Sequence, residues 1–217
     1  MKKTIVALAL LAATAAAHAG PDVFYEDFSN VAGLAAQGWV NSNGSTPGGV
    51  ITAGFFQGSE TVFPAYEGSS ASFAASSYNT APAGGQIDNW LITSAFSTEF
   101  NMGISFFVKS FRDPIDAMDN LSYGLGNGTD INAYVLSPSF VVGDDGWTEV
   151  KFIISGMGAG STNRLAIRYT GAADTSSYVG IDSIRATVPE PGTTAMLGLG
   201  LIGLAAARRR KAKQAAL

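Results

Sequence analysis

Apolar and polar residues alternate at a period of two in several short segments of this chain, which is typical of β-strands with one buried face. In residues 148–154 Val150, Phe152 and Ile154 fall on one face, while Glu149 and Lys151 fall on the other. Residues 165–169 show the same alternation, with Leu165, Ile167 and Tyr169 predicted to point inward. The pattern also predicts strands at 23–28, 51–56, 72–78, 87–93, 104–109 and 178–188.

Helical periodicity is nearly absent, and the one helix that the sequence predicts is short. It spans residues 31–36 and follows Asn30, whose side chain is suited to capping a helix N-terminus. Glycine, serine and asparagine separate the predicted strands, and no helix is long enough to connect parallel strands. The sequence therefore predicts an all-β, antiparallel, two-sheet sandwich.

Both ends of the chain have the patterns of targeting segments. Residues 1–19 combine a basic start, an apolar run and an Ala-x-Ala site, which predicts a secretory signal peptide. At the other end, the apolar run 193–207 predicts a single short transmembrane helix. A basic stop-transfer cluster follows it, formed by Arg208, Arg209, Arg210 and Lys211. The predicted organisation is a signal peptide at 1–19, a β-sandwich domain at 20–187 and a targeting tail at 188–217.

The tail resembles the PEP-CTERM sorting signal of Gram-negative bacteria. The motif residues are Val188, Pro189, Glu190 and Pro191, and the apolar run and the basic cluster follow them in the required order. The resemblance implies that an exosortase in the inner membrane recognises the tail and cleaves it near the motif. The protein would then be anchored only transiently, and would end at the cell surface or in the extracellular matrix.

A permanent single-pass anchor is the alternative interpretation of the same tail. A stable membrane span needs roughly 20 apolar residues. The run 193–207 is shorter than this and contains Gly198, Gly200 and Gly203, which lower its helix propensity. A processed tail is therefore favoured.

Charge and composition narrow the chemistry of the domain. Without the two ends it carries six Lys and Arg against sixteen Asp and Glu, a formal charge of about −10, whereas the whole chain has −4. Such an acidic surface argues against nucleic-acid binding.

The chain has no cysteine, and its only histidine, His18, belongs to the signal peptide. Histidine- and cysteine-dependent catalysis and the usual zinc sites are thereby excluded. The paired-acid pattern of laminarinase-like sandwich glycosidases is also absent, so the sequence predicts no enzyme.

The domain itself resembles the choice-of-anchor J type of surface domain, which is related to cleaved-adhesin and MAM-like jelly rolls. The resemblance rests on an ordered set of segments at 24–28, 38–39, 89–93, 104–110, 119–121, 146–149 and 178–184. It implies a jelly roll on a secreted or surface protein, and it implies no defined activity.

Three carboxylates form a candidate metal site. In jelly rolls the first and last strands commonly pair, which would bring Glu26 and Asp27 close to Asp182. Calcium takes 6 to 8 oxygen ligands, often from carboxylates, so a structural calcium ion between the chain ends is one interpretation. The alternatives are ion pairs with Arg185 or Arg168, or hydrogen bonds to loop backbone, and they stay open at this point.

Two other polar segments are predicted to be ordinary loops and turns. Asp113, Asp116 and Asp119 recur at intervals of three, but their spacing does not match an EF-hand loop, and a solvent-exposed loop is predicted. Residues 120–122 match a glycosylation sequon and are predicted to form a turn.

Aromatic residues give the remaining candidate binding site. Trp39 and Trp147 each follow a glycine and could stack on carbohydrate, although large aromatic side chains are mostly core residues, and the core interpretation is favoured. The predicted function is a non-enzymatic surface or matrix protein, adhesive or structural in exopolysaccharide or biofilm. The alternative is a carbohydrate-binding module that recognises extracellular polysaccharide.

Overall fold

Twelve β-strands and four short 3-10 helices make up residues 22–111 and 118–189, which are the residues that the computed structural model describes. The strands are β1 (Asp22–Glu26), β2 (Val40–Asn43), β3 (Phe56–Gln57), β4 (Ala74–Ser77), β5 (Gln86–Ile92), β6 (Phe96–Ser97), β7 (Met102–Ser110), β8 (Asn120–Gly126), β9 (Phe140–Val141), β10 (Thr148–Ile154), β11 (Thr162–Ala172) and β12 (Tyr178–Thr187). The 3-10 helices span Val31–Gln37, Tyr78–Thr80, Ile131–Ala133 and Ala173–Thr175.

The predicted signal peptide, Asp113, Asp116, and the tail from Glu190 onward lie outside the described residues. Within the described residues, no helix has the length and apolarity needed to cross a membrane.

The strands form two six-stranded antiparallel sheets. The first sheet has the order β10-β7-β12-β4-β3, and β1 also pairs with β12. The second has the order β2-β5-β11-β8-β9, and β6 also pairs with β11. The predicted all-β, two-sheet antiparallel architecture is confirmed.

The core lies between the inner faces of the two sheets, and the period-two pattern determines which side chains enter it. In β7 alternate residues from Met102 to Val108 are buried. In β11 the predicted inward residues Leu165, Ile167 and Tyr169 are all at most 1% exposed. Burial of each large apolar side chain contributes roughly 1.5–3 kcal/mol. In the absence of disulfides, this core supplies most of the stability.

Irregular segments cover part of the outer face of each sheet. Segment 58–73 packs Phe63 and Phe73 against Ala75 and Trp147 on the first sheet. A Cβ atom at Gly180 would meet these rings, so the glycine in β12 is needed for their close approach. On the second sheet, Trp90, Ile92 and Ala166 pack against Tyr134 of segment 127–139.

The helix prediction is confirmed in position and refined in type. A 3-10 helix spans Val31–Gln37, and the side chain of Asn30 accepts a hydrogen bond from the backbone N–H of Gly33 at 3.1 Å. Val31 and Leu34 are its buried residues.

The predicted strand at 51–56 is wrong except for its last residue. At Phe55 the side chain of Asn41 takes the place of a neighbouring strand. Its amide N–H donates to the carbonyl of Phe55 at 2.6 Å, and its amide oxygen accepts from the N–H of Phe55 at 2.8 Å. A side chain thus satisfies backbone groups that a neighbouring strand would otherwise bind. The turn predicted at 120–122 is also wrong, because these residues begin β8 and pair with β11.

Asp119 is fully buried, which corrects the prediction of a solvent-exposed loop at this residue. Its carboxylate accepts hydrogen bonds from the hydroxyl groups of Ser110 and Tyr169 and from the N–H of Ser177 at 2.8 Å. Ser110 ends β7 in the first sheet, and Tyr169 lies in β11 of the second. Asp119 therefore links the two sheets through a buried polar network.

We expect Asp119→Ala to lower the free energy of unfolding by about 3 kcal/mol, because it removes the shared acceptor of several buried donors. Asp119→Asn keeps one acceptor oxygen and should lose less. Urea unfolding followed by tryptophan fluorescence measures both, with the exposed Glu60→Ala as the matched control. An Asp119→Ala variant as stable as this control would contradict the linking role.

Candidate functional site

A β-bulge in β12 is the centre of the candidate site. The register of β12 against β7 shifts between Asp182 and Arg185, and Ser183 has a φ of 49°. A non-glycine residue in this left-handed region is strained and needs support from its surroundings. At the bulge β12 also changes its other partner, pairing with β4 up to Ile181 and with β1 from Ile184 onward.

Asp182 supports the bulge and also fixes the segment that covers it. Its carboxylate accepts hydrogen bonds from the N–H of Ser183 at 2.6 Å, of Tyr66 at 2.8 Å and of Glu67 at 3.1 Å. The side chain is fully buried. Burial disfavours the ionised form and raises the pKa of Asp182 to about 6. The hydrogen bonds favour the ionised form and act in the opposite direction, lowering the pKa.

Glu26 and Asp27 lie at the end of β1, which pairs with β12 as predicted, and Glu26 is opposite Ile184. Each carboxylate binds nearby backbone: Glu26 accepts from the N–H of Phe28 at 2.9 Å, and Asp27 from the N–H of Ser29 at 3.0 Å. Burial is the main cause of a raised pKa at Glu26, and the neighbouring charge of Asp27 raises it further.

Of the three interpretations of these acids, backbone hydrogen bonding is the one that the geometry shows. Arg168 pairs instead with Asp88 at 2.7 Å, and Arg185 pairs with Glu67 at 2.8 Å. Among the described residues, no three acidic side chains are grouped closely enough to hold a metal ion. Calcium at Glu26, Asp27 and Asp182 stays an untested prediction.

Arg185 organises the surface beside the bulge. Besides its ion pair with Glu67, its guanidinium lies 3.4 Å from Asp22 and 4.3 Å from the centre of the Tyr25 ring. Ser183 donates from its hydroxyl to Glu67 at 3.2 Å. These contacts hold the side chain of Glu67 against β12.

An open cleft of about 500 Å³ lies next to Arg185 on the outer face of the first sheet. One wall is a pair of stacked rings, Tyr66 on Phe107, with centres 3.5 Å apart and planes 13° from parallel. Phe107 covers one face of Tyr66, and the tyrosine is still 48% exposed, so its other face is open to solvent. Sequence reasoning missed this pair, because Tyr66 belongs to segment 58–73, which shows no strand pattern, and nothing in the predicted strand of Phe107 indicates what covers its ring.

A second part of the cleft, of about 560 Å³, continues along β7 towards Gly103. Ser105 and Glu149 line both parts, so the two are adjacent. The second part is also lined by Lys151, Ile153 and Thr187, and Lys151 pairs with Glu149 at 3.0 Å. From Phe107 to Gly103 the floor runs about 13 Å along the strand.

The two tryptophans predicted for carbohydrate stacking lie in separate aromatic groups. Trp39 is only 5% exposed and packs against Phe24 and Phe28. Trp147 packs edge-on against Phe63, and its indole N–H donates to the carbonyl of Pro64 at 3.0 Å. Both serve packing here, and their role in sugar binding remains untested.

Comparison with protein families identifies the tail. Residues 187–211 match the model of the PEP-CTERM protein-sorting motif, which confirms the predicted resemblance of the tail. No curated protein matches the chain.

Solved structures share the fold of the domain. The K1 cleaved adhesin domain of Lys-gingipain from Porphyromonas gingivalis W83 is 16% identical, with a TM-score of 0.57 over 76% of this chain and 97% of that one. The K3 cleaved adhesin domain of the same protein is 20% identical, with a TM-score of 0.55 over 78% and 99%. The CBM22-1 xylan-binding domain of Paenibacillus barcinonensis Xyn10C is 18% identical, with a TM-score of 0.45 over 81% and 99%. The matches to the two cleaved adhesin domains confirm the jelly-roll, cleaved-adhesin-like fold.

Lowering the pH should stabilise the wild-type protein relative to the Asp182→Asn variant. Because the pKa of Asp182 rises from 3.8 to about 6 on folding, the folded state binds this proton more tightly than the unfolded state does. The stability gained from that proton is fully present below about pH 4 and is lost as the pH rises through 6. We therefore expect the difference in melting temperature, wild type minus variant, to decrease between pH 4.5 and pH 7.5. Thermal unfolding followed by circular dichroism measures it. A difference that is constant or grows with pH would contradict this assignment.

Proposed function

We propose that this chain is an exported, non-enzymatic surface protein that an exosortase processes at its C-terminus. After processing, its β-sandwich resides at the cell surface or in extracellular polysaccharide, where it serves adhesion or matrix structure. The observation that carries the proposal is the PEP-CTERM motif at 187–211.

The position of the motif fits a tail that is removed after sorting, because the motif starts where the last described strand ends. The match begins at Thr187, which is the last residue of β12. No strand of the described residues extends beyond Thr187, so cleavage beyond Pro189 leaves all twelve of these strands in place.

The described carboxylates support a non-catalytic role. Glycosidases of the two-acid type need one carboxyl with a raised pKa that reaches the substrate. The two carboxyls with raised pKa values are Asp182, which is fully buried, and Glu26, which does not line the cleft. The acids that do line it, Glu67 and Glu149, are held in ion pairs.

Substitution of Pro189, Glu190 and Pro191 by alanine should block removal of the tail. Mass spectrometry of the protein recovered from host cells and medium is expected to find a wild-type C-terminus near residue 190. The variant should retain Arg208–Arg210 and stay in the membrane fraction. As a matched control, Tyr66→Ala leaves the tail intact in sequence and should be processed like wild type. A mature wild-type protein that keeps its arginines would overturn the proposal.

A further inference from the structure

We propose that the outer-face cleft of the first sheet binds a neutral polysaccharide, with the open face of Tyr66 stacked on a sugar ring. This inference rests on the proposed function, because it names the matrix component that the surface protein would contact.

The first argument is the preparation of Tyr66 for stacking. A tyrosine has few rotatable bonds, and here the ring already lies flat on Phe107 at 3.5 Å. Such a ring offers a fixed apolar face and loses little conformational entropy when a ligand covers it. The apolar C–H face of a pyranose fits a flat aromatic surface of this kind.

The backbone of Tyr66 is fixed as well as its ring. The buried carboxylate of Asp182 binds the N–H groups of both Tyr66 and Glu67. The carboxylate of Glu67 is in turn held by Arg185 and by the hydroxyl of Ser183. Tyr66 is thus fixed to the first sheet, although it belongs to an irregular segment.

The charges around the cleft argue for an uncharged ligand. Its four charged side chains form two pairs, Arg185 with Glu67 and Lys151 with Glu149. These pairs leave no excess positive charge in the cleft for an acidic polymer, and the whole exported domain carries about −10. An anionic polysaccharide would therefore be repelled. The paired groups still offer hydrogen-bond donors and acceptors to sugar hydroxyls.

The floor of the cleft adds room and open hydroxyl groups. Ser105 and Thr187 line it, and within the described residues no hydrogen bond engages either side-chain hydroxyl. Gly103 has no side chain to fill the space above β7. A floor of about 13 Å accommodates more than one sugar ring, which fits a polymer better than a free monosaccharide.

Binding is tested with the full chain purified in detergent, by affinity electrophoresis and calorimetry. The probes are three neutral polysaccharides, namely mixed-linkage β-glucan, galactomannan and arabinoxylan, and one acidic polymer, polygalacturonate. We expect saturable binding to at least one neutral probe and none to the acidic one. Binding to no neutral probe, or to polygalacturonate in preference, would overturn the inference.

The contribution of Tyr66 is tested on the neutral probe that binds. Tyr66→Ala should weaken binding at least about tenfold, and Tyr66→Phe, which keeps the ring, should stay within about threefold of wild type. Tyr78→Ala is the matched control, since Tyr78 is 44% exposed and lines a different hollow. Unchanged binding by a folded Tyr66→Ala variant would overturn the inference.

Failure of this inference can be told apart from failure of the proposed function. Tail removal is read by mass spectrometry and needs no glycan. Normal processing of wild type without glycan binding would overturn only the binding site.

Discussion

β12 exchanges one antiparallel partner for another in the middle of its length, and the buried carboxylate of Asp182 stabilises the point of exchange. The same carboxylate binds the bulge residue Ser183 and the backbone of Tyr66 and Glu67. A strained φ, the path of segment 58–73 and the position of the aromatic wall therefore depend on one side chain. Its burial opposes ionisation while its hydrogen bonds favour it, which is why its pKa lies near 6.

Hydrogen bonds from polar side chains fix the loops and sheets elsewhere in this domain, as disulfides do in many exported proteins, and two of these side chains, Asp119 and Asn89, are fully buried. Asp119 joins the two sheets, and Asn41 holds segment 51–55 in place of a strand. Asn89 is buried between Ser76 and Thr80, to which it donates at 2.9 and 2.7 Å. Burying a polar group costs desolvation, and the group stabilises the fold only when its partners are present, so the networks of Asp119 and Asn89 specify one arrangement of loops.

The sequence predicted those parts of the fold in which local pattern and environment agree. β10 and β11 show period-two alternation. In β10 the half-buried residues Val150, Phe152 and Ile154 follow it, and in β11 the predicted inward residues are buried. Segment 51–56 looked like a strand because it is apolar, but its partner is the side chain of Asn41, and a side-chain partner leaves no periodic signal. Asp119 looked solvent-exposed because three aspartates at equal spacing are typical of surface loops. Its burial depends on Tyr169, which lies fifty residues away in sequence.

The cleft was beyond sequence reasoning for a related reason. Its parts come from β7, β10, β12 and an irregular segment, and only the pairing of strands places them together. Tryptophan content pointed instead to Trp39 and Trp147, because residue type is visible in a sequence and exposure is not. In this sandwich the larger aromatic rings are used for packing, and a smaller ring, Tyr66, is left with an open face.

A site of this kind suits a protein that resides in a polymer. Its contacts are a single aromatic face and a few polar groups, which favours modest affinity for each binding event. A polysaccharide repeats the same ligand along its length, so many copies of the protein on one surface would bind one chain together. Once one site has bound, the neighbouring sites are at a high effective concentration with respect to the same polymer. Attachment then becomes stronger although no individual site binds more tightly. The tail would bring the protein to the surface, and the cleft would hold it on a neutral polymer there. Thr187 is the one residue that both the sorting-motif match and the cleft lining include.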